Sequence, residues 1–245
     1  MTDTDDVPII EVTIAAPADE VWRALRDPAL IRRWHGWHFD GLDEEIRVIY
    51  VDHVTADDDG HVLIVDGGDR FTLHPVDGGT RVRITRAPFG GNPEWDAYYE
   101  DINEGWAIFL QQLRFGLERH GLAERRTLLL SGALRSPDVP PVAALGLAQA
   151  AELPVGARYR AAAATGDMLE GQVFARTDRQ RLFTVDGLGD GLLVVAEQPL
   201  TTFRPDGGGM VLLTAYGLDE EEFAALRRRW TAWWESVRAV PARST

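Results

Sequence analysis

The chain has no cysteine and no lysine: all 25 of its basic residues are arginine. Without cysteine there is no disulfide, no thiolate zinc site and no thiol nucleophile. Without lysine there is neither a Schiff-base amine nor a Walker-type phosphate loop. Long apolar runs are missing too. No stretch approaches the roughly 18 apolar residues of a membrane span, and the opening MTDTDDVPII is acidic where a secretory signal would be basic and then apolar. A cytoplasmic location is the expectation. Positive charge is scarce overall, and a formal net charge of -14 opposes nucleic acid and anionic membranes as partners. Neutral or cationic small molecules fit it better. Three catalytic signatures are also missing: the Gly-x-Ser-x-Gly elbow, the dinucleotide glycine fingerprint and His-Glu-x-x-His.

What is there is enough apolar material for more than one core, with 45% hydrophobic residues and eight tryptophans in 245 positions. PIIEVTIAA (8–16) alternates as a strand, with Ile10, Val12 and Ile14 on one face. A helix follows, with Pro17 in its first turn, Asp19 and Glu20 at the positive dipole end and Val21, Trp22 and Leu25 as its apolar stripe. DPALIRRW (27–34) is a second short helix capped by Asp27, with Pro28 at its first position and Gly36 ending it. From 45 to 86 the texture turns β. IRVIYVDHV, HVLIV, RFTLHPV and TRVRITR are separated by ADDDG, DGGD and DGG, and Asp-Gly pairs favour hairpin turns, so an antiparallel meander is predicted. Residues 93–121 form a long helix with Trp95, Tyr99, Ile102, Trp106, Phe109, Leu113 and Leu117 on one stripe, Glu100, Asp101 and Glu104 opposite, and Gly121 as stop. At about 1.5 Å per residue it spans roughly 40 Å, the length of a small sheet.

After LAERR as linker the same order recurs in weaker form. TLLLSGAL is a strand and VPPVAALGLAQAA a helix. Further strands follow in GARYRAAAA, GQVFART, RLFTV, GLLVVAEQPL and GMVLLTAY. Residues 218–239 close the chain as an amphipathic helix with Phe223, Leu226, Trp230, Trp233 and Val237 on one face. Two domains are expected, residues 1–122 and 123–245. The run RRRW (227–230) is expected to pair along the helix with Glu220 to Glu222 rather than to bind nucleic acid.

Three segments in order, APADEVWRALRDPALIRRWHGW, GTRVRITRAPF and NEGWAIFLQQLRFGLERHG, make residues 8 to 121 resemble the START-like superfamily, also called SRPBCC. Within it they are most similar to bacterial relatives of the activator of the large cytosolic chaperone ATPase. The resemblance implies an α+β helix-grip fold, a bent antiparallel sheet around a long C-terminal helix with a cavity between them. Residues 125–240 match only in architecture and are expected to be a degenerate tandem copy. The family spans ligand carriers, polyketide cyclases, natural-product resistance proteins and chaperone cofactors, so membership alone does not fix function.

The stretch RRWHGWHFDG (32–41) concentrates two tryptophans and two histidines. His35 and His38 are three apart, but Gly36 interrupts a helix and only Asp40 and Asp43 are near in sequence, so no metal is expected. Trp34 is expected in the core and Trp37 and His38 at a cavity mouth. The predicted function is binding of a hydrophobic or aromatic small molecule between sheet and helix of the first domain, with the second domain as scaffold or lid. Trp37, His38, Tyr50, Phe71, Tyr99, Trp106 and Phe109 are the expected lining, with no cofactor. Arg83 is a weaker candidate for an inward partner to a ligand carboxylate. Two alternatives stay open. One is a chaperone-cofactor-like interaction protein with a protein partner. The other is a polyketide-cyclase-like enzyme using His38, His53 or Asp52 as acid or base. No catalytic residue is assigned.

Overall fold

The computed structural model describes residues 9–88, 99–198, 200, 204 and 207–239. The chain divides into two compact units, Met1–Ala123 and Glu124–Thr245.

The first unit begins with β1 (Ile9–Ile14) and a helix pair, α1 (Ala18–Arg26) and α2 (Pro28–Ile31). Pro17 stands at the N-cap of α1 rather than within its first turn. Asp27 caps α2 as its sequence predicts, its carboxylate accepting from the Ala29 amide at 2.9 Å, with Pro28 at the first helical position. Four strands follow, β2 (Thr55–Asp57), β3 (Val62–Ile64), β4 (Arg70–Val76) and β5 (Gly79–Thr85). They form one antiparallel sheet in the order β1-β5-β4-β3-β2. Alternation puts Ile10, Ile84, Phe71 and Leu63 in register across it, with Val12, Val82 and Leu73 as the next row. The opposite face carries Glu11 and Arg83, which are register partners and pair at 2.5 Å. Arg83 therefore faces away from the core.

Residues 46–54 do not form the predicted strand. They are α3 (Leu42–Arg47) running into a π-helical turn, Val48–Asp52. Period two was one pattern available in IRVIYVDHV, with Ile46, Val48 and Tyr50 on a face. Leu42, Ile46 and Tyr50 at spacings of four make another, and all three are buried at 1%, 3% and 1% exposure. Asp43, Glu44 and Glu45 in the first turn complement the dipole of α3.

The long helix α4 is described over Tyr99–His120. Residues 93–98 of the predicted helix, Trp95 among them, lie outside the described residues. Trp106, Leu110 and Leu113 pack into the same core as Ile14, Leu63, Phe71, Val82 and Ile84, so the helix lies on the inner face of the sheet. Each such buried aliphatic side chain contributes roughly 1.5–3 kcal/mol. At its C-terminal end Glu118 accepts from the Ala15 amide at 2.9 Å, which ties the helix to the end of β1.

The second unit repeats this plan. The supposed linker is shorter than LAERR, because Arg125 and Arg126 already belong to β6 (Arg125–Gly132). The predicted helix 139–151 is two four-residue helices, α5 (Pro141–Ala144) and α6 (Ala148–Ala151). Gly146 separates them at φ +91°, a conformation that a continuous helix cannot contain. Then come β7 (Arg158–Ala162), β8 (Met168–Arg176), β9 (Gln180–Val185), β10 (Gly191–Gln198), β11 (Gly208–Tyr216) and the final helix α7 (Glu220–Val237). The order β6-β11-β10-β9-β8-β7 matches the first sheet in its logic: the opening strand pairs with the closing one and the rest is a meander. Leu128, Leu213, Leu193, Phe183 and Val173 form a row in register beneath Phe223, Leu226, Trp230, Trp233 and Trp234 of α7. The arginines of RRRW do not pair as predicted. Arg229 binds Asp167 at 2.9 Å, Arg227 lies over the Phe223 ring, and Glu222 completes a capping box with Asp219.

In each unit the long helix is pinned by an indole N–H to a turn carboxylate of its own sheet. Trp106 donates to Asp69 at 2.6 Å, and Trp230 donates to Asp167 at 2.9 Å. Among the described residues no helix is long and apolar enough to cross a membrane.

Candidate functional site

The first unit gathers its aromatic side chains at one place on the inner face of its sheet, where α4 meets the chain between α2 and the π-helical turn. Trp34 ends the α2 region fully buried, its indole N–H donating to the Ala24 carbonyl of α1 at 2.9 Å. Gly36 then turns the chain at φ +56°. Gln112 of α4 clamps this turn, donating to the carbonyls of Trp34 and Gly36, both at 3.1 Å. The clamp fixes His35 with its ring inward at 1% exposure.

His35 is the centre of a hydrogen-bonded line. Its Nε2 lies 2.8 Å from Glu45 Oε1 and its Nδ1 3.0 Å from the Tyr50 hydroxyl. The Glu45 side chain is 40% exposed, so the line runs from the solvent boundary to a fully buried phenol. Burial first, then the Glu45 and Asp69 carboxylates, hold the Tyr50 proton well above its usual range. Apolar rings enclose the trio. Phe109 is 4.7 Å and Trp106 6.0 Å from His35 between ring centres, and Trp34 and Trp106 stand edge-on to Tyr50 at 5.8 and 6.3 Å. Phe71, at the centre of the inward sheet row, meets Trp106 edge-on at 5.1 Å.

A second polar group borders the same cluster. Asp69, in the turn before β4, is buried with Arg86, whose Nε donates to it at 2.8 Å. Asp69 also accepts from the Ala87 amide and the Trp106 indole. Arg86 stacks on the Tyr99 ring at 4.4 Å and donates to Asn103, while the Tyr99 hydroxyl donates to the Ala87 carbonyl.

Of the seven lining residues predicted, Tyr50, Phe71, Trp106 and Phe109 come together directly. Trp37 is half-buried at the rim, 6.4 Å from both Phe39 and Phe109. Tyr99 is a step away, beyond the Arg86–Asp69 pair, and His38 is exposed. The acid–base candidates differ as well. His53 is exposed and Asp52 pairs with Arg47, whereas His35 is the group in contact with Tyr50, with Glu45 on its other nitrogen. The signal for His35 was its place directly after Trp34. The signal for Glu45 and Tyr50 was the helical spacing of Leu42, Ile46 and Tyr50, hidden beneath a strand-like alternation. Among the described residues no three His, Asp or Glu side chains converge as metal ligands.

No family model matches the chain, and no curated protein matches it. Solved structures are similar over nearly the whole chain at low identity. The di-domain ARO/CYC BexL from the BE-7585A biosynthetic pathway is 12% identical over 96% of this chain and 99% of that one, with a TM-score of 0.36. The di-domain ARO/CYC StfQ from the steffimycin biosynthetic pathway is 12% identical over 94% of each chain, with a TM-score of 0.33. DynU16, from the dynemicin biosynthetic locus, is 17% identical over 94% of this chain and 95% of that one, with a TM-score of 0.31.

Proposed function

We propose that the first unit is a START-like helix-grip domain that binds a hydrophobic, aromatic small molecule between α4 and its sheet, and that the second unit is a degenerate copy serving as scaffold or lid. One observation carries the reading. His35 and Tyr50, hydrogen-bonded to each other and outward to Glu45, are embedded among Trp34, Trp106 and Phe109, where apolar side chains alone would pack at lower cost. A mostly apolar surround with a few fixed polar groups is the usual composition of a small-molecule site. Phe109 and Trp37 at its edge are only half-buried, which gives the cluster a side open to approach.

The test is equilibrium dialysis with N-phenyl-1-naphthylamine, a neutral aromatic probe. Saturable binding is expected, with Phe109→Ala weakening it by about tenfold while the fold, followed by far-ultraviolet circular dichroism, is retained. A protein that takes up no probe at any concentration below its solubility would sink the reading. A second reading, an enzyme of the polyketide-cyclase type, is favoured by the same trio, since a buried imidazole linked to a carboxylate and a phenol can move a proton.

A further inference from the structure

The hydrogen bonds of the Glu45, His35 and Tyr50 trio run in one direction. A carboxylate only accepts, so Glu45 requires a proton on His35 Nε2. In the neutral imidazole Nδ1 is then an acceptor, and the Tyr50 hydroxyl must be its donor. With His35 neutral, Tyr50 has thereby spent its only hydrogen. His35 is its one hydrogen-bond partner among the described residues, so its oxygen retains lone pairs and nothing to give. A group arriving at Tyr50 must itself be a donor.

We infer that the Tyr50 oxygen is a specificity-determining acceptor, selecting aromatic ligands that carry a hydroxyl, a phenol or an enol, over those that offer only a carbonyl or ether oxygen. The inference rests on the binding site proposed for the first unit and names the chemistry of its occupant. Such a hydroxyl would complete a chain of four hydrogen-bonding groups, each polarising the next. The chain also gives the ligand proton somewhere to go. As the ligand O–H bond breaks, its proton joins the Tyr50 oxygen and the Tyr50 proton joins His35 Nδ1. The result is a ligand oxyanion and an imidazolium whose Nε2–H stays on Glu45, with no net change of charge. Among the described residues, charged and titratable groups facing the trio include Glu45 from α3, Tyr50 itself from the π-helical turn, and Asp69 from the turn before β4, held by Arg86. From α4 the facing side chains are Trp106, Phe109 and Gln112, none of which titrates.

The experiment compares 2-naphthol with 2-methoxynaphthalene, the same ring system with and without a donor, by equilibrium dialysis on the full chain. The wild type is expected to bind 2-naphthol about tenfold more tightly, the size of one net buried hydrogen bond. Tyr50→Phe should abolish that preference, bringing the two affinities to within about twofold of each other. Equal wild-type affinity for the two probes, or a preference that survives in Tyr50→Phe, would overturn the assignment and leave the binding site standing. If neither probe binds, the site and the assignment fall together. The wild-type comparison decides even where a variant does not fold.

Discussion

Asp69 takes three donors, from the Arg86 guanidinium, the Ala87 amide and the Trp106 indole, and does so with its side chain 8% exposed. Its place in the turn before β4 makes it the bolt between sheet and long helix. Removing the charge leaves the Arg86 guanidinium buried against a neutral amide, so Asp69→Asn is expected to cost about 3–5 kcal/mol in urea unfolding, the range for breaking a buried pair. Replacing both members, as Asp69→Leu with Arg86→Met, should cost less than the single change. A double variant as damaged as the sum of its parts would mean that the pair itself is not the source of the stability. The buried phenols give a second prediction. Burial raises the proton affinity of Tyr50, Tyr159 and Tyr216, the last to about 12. The folded values lie above the unfolded one of about 10, so their contribution is complete below pH about 10. It declines as the pH climbs through the folded values, because the unfolded chain releases protons that the folded one keeps. Phenolate absorbance of three of the five tyrosines should therefore rise together with alkaline unfolding. Three phenols titrating near the free value in the folded protein would contradict their burial.

At the scale of the element, what the sequence showed and what it hid can be told apart by particular residues. The α2 cap was legible because Asp27 and Pro28 act within three residues. The rows of β4 and β5 were legible because their alternation has no competing reading. Residues 46–54 were not, since a period of two and a spacing of four both fit and only the buried neighbours of Ile46 and Tyr50 decide between them. The candidate site inherits that ambiguity: the aromatic stripe of α4 was readable, while the partnership of His35 with Glu45 and Tyr50 was not. Gly146 is a further case, a single residue that splits one predicted helix into two. Gly146→Ala is expected to destabilise by about 1–2 kcal/mol, from the positive φ together with a Cβ placed 2.9 Å from the Ala162 carbonyl oxygen. An unchanged melting temperature would show that the break between α5 and α6 is not held by glycine. On α7, Asp219→Ala removes the acceptor of the Glu222 amide at 2.9 Å and should cost about 1 kcal/mol.

At the scale of the whole molecule, the repeated plan was visible in the order of elements long before any residue of the second copy resembled the first. Topology explains why. Pairing the opening strand with the closing one and laying the final helix on the inner face needs only apolar rows in register, such as Leu128, Leu213, Leu193 and Phe183, and not the same residues as in Ile10, Ile84 and Phe71. The negative charge of the chain, -14 in all, is carried almost entirely by the first unit, where 24 of the 39 acidic residues meet only 11 of the 25 arginines. That field acts on any approaching ligand regardless of local contacts, and it extends about 30 Å at 0.01 M salt but only about 8 Å at 0.15 M. For ligands of one aromatic scaffold, cationic 2-naphthylmethylamine should therefore bind more tightly than anionic 2-naphthoate at low salt, by severalfold. The gap should narrow as salt is added, through weaker amine binding and stronger naphthoate binding. Dialysis of both probes across that range of ionic strength measures it. The opposite order, with naphthoate favoured and losing affinity as salt rises, would mean that a nearby guanidinium such as Arg86 outweighs the global charge. The occupant of the site would then have to be sought among acids.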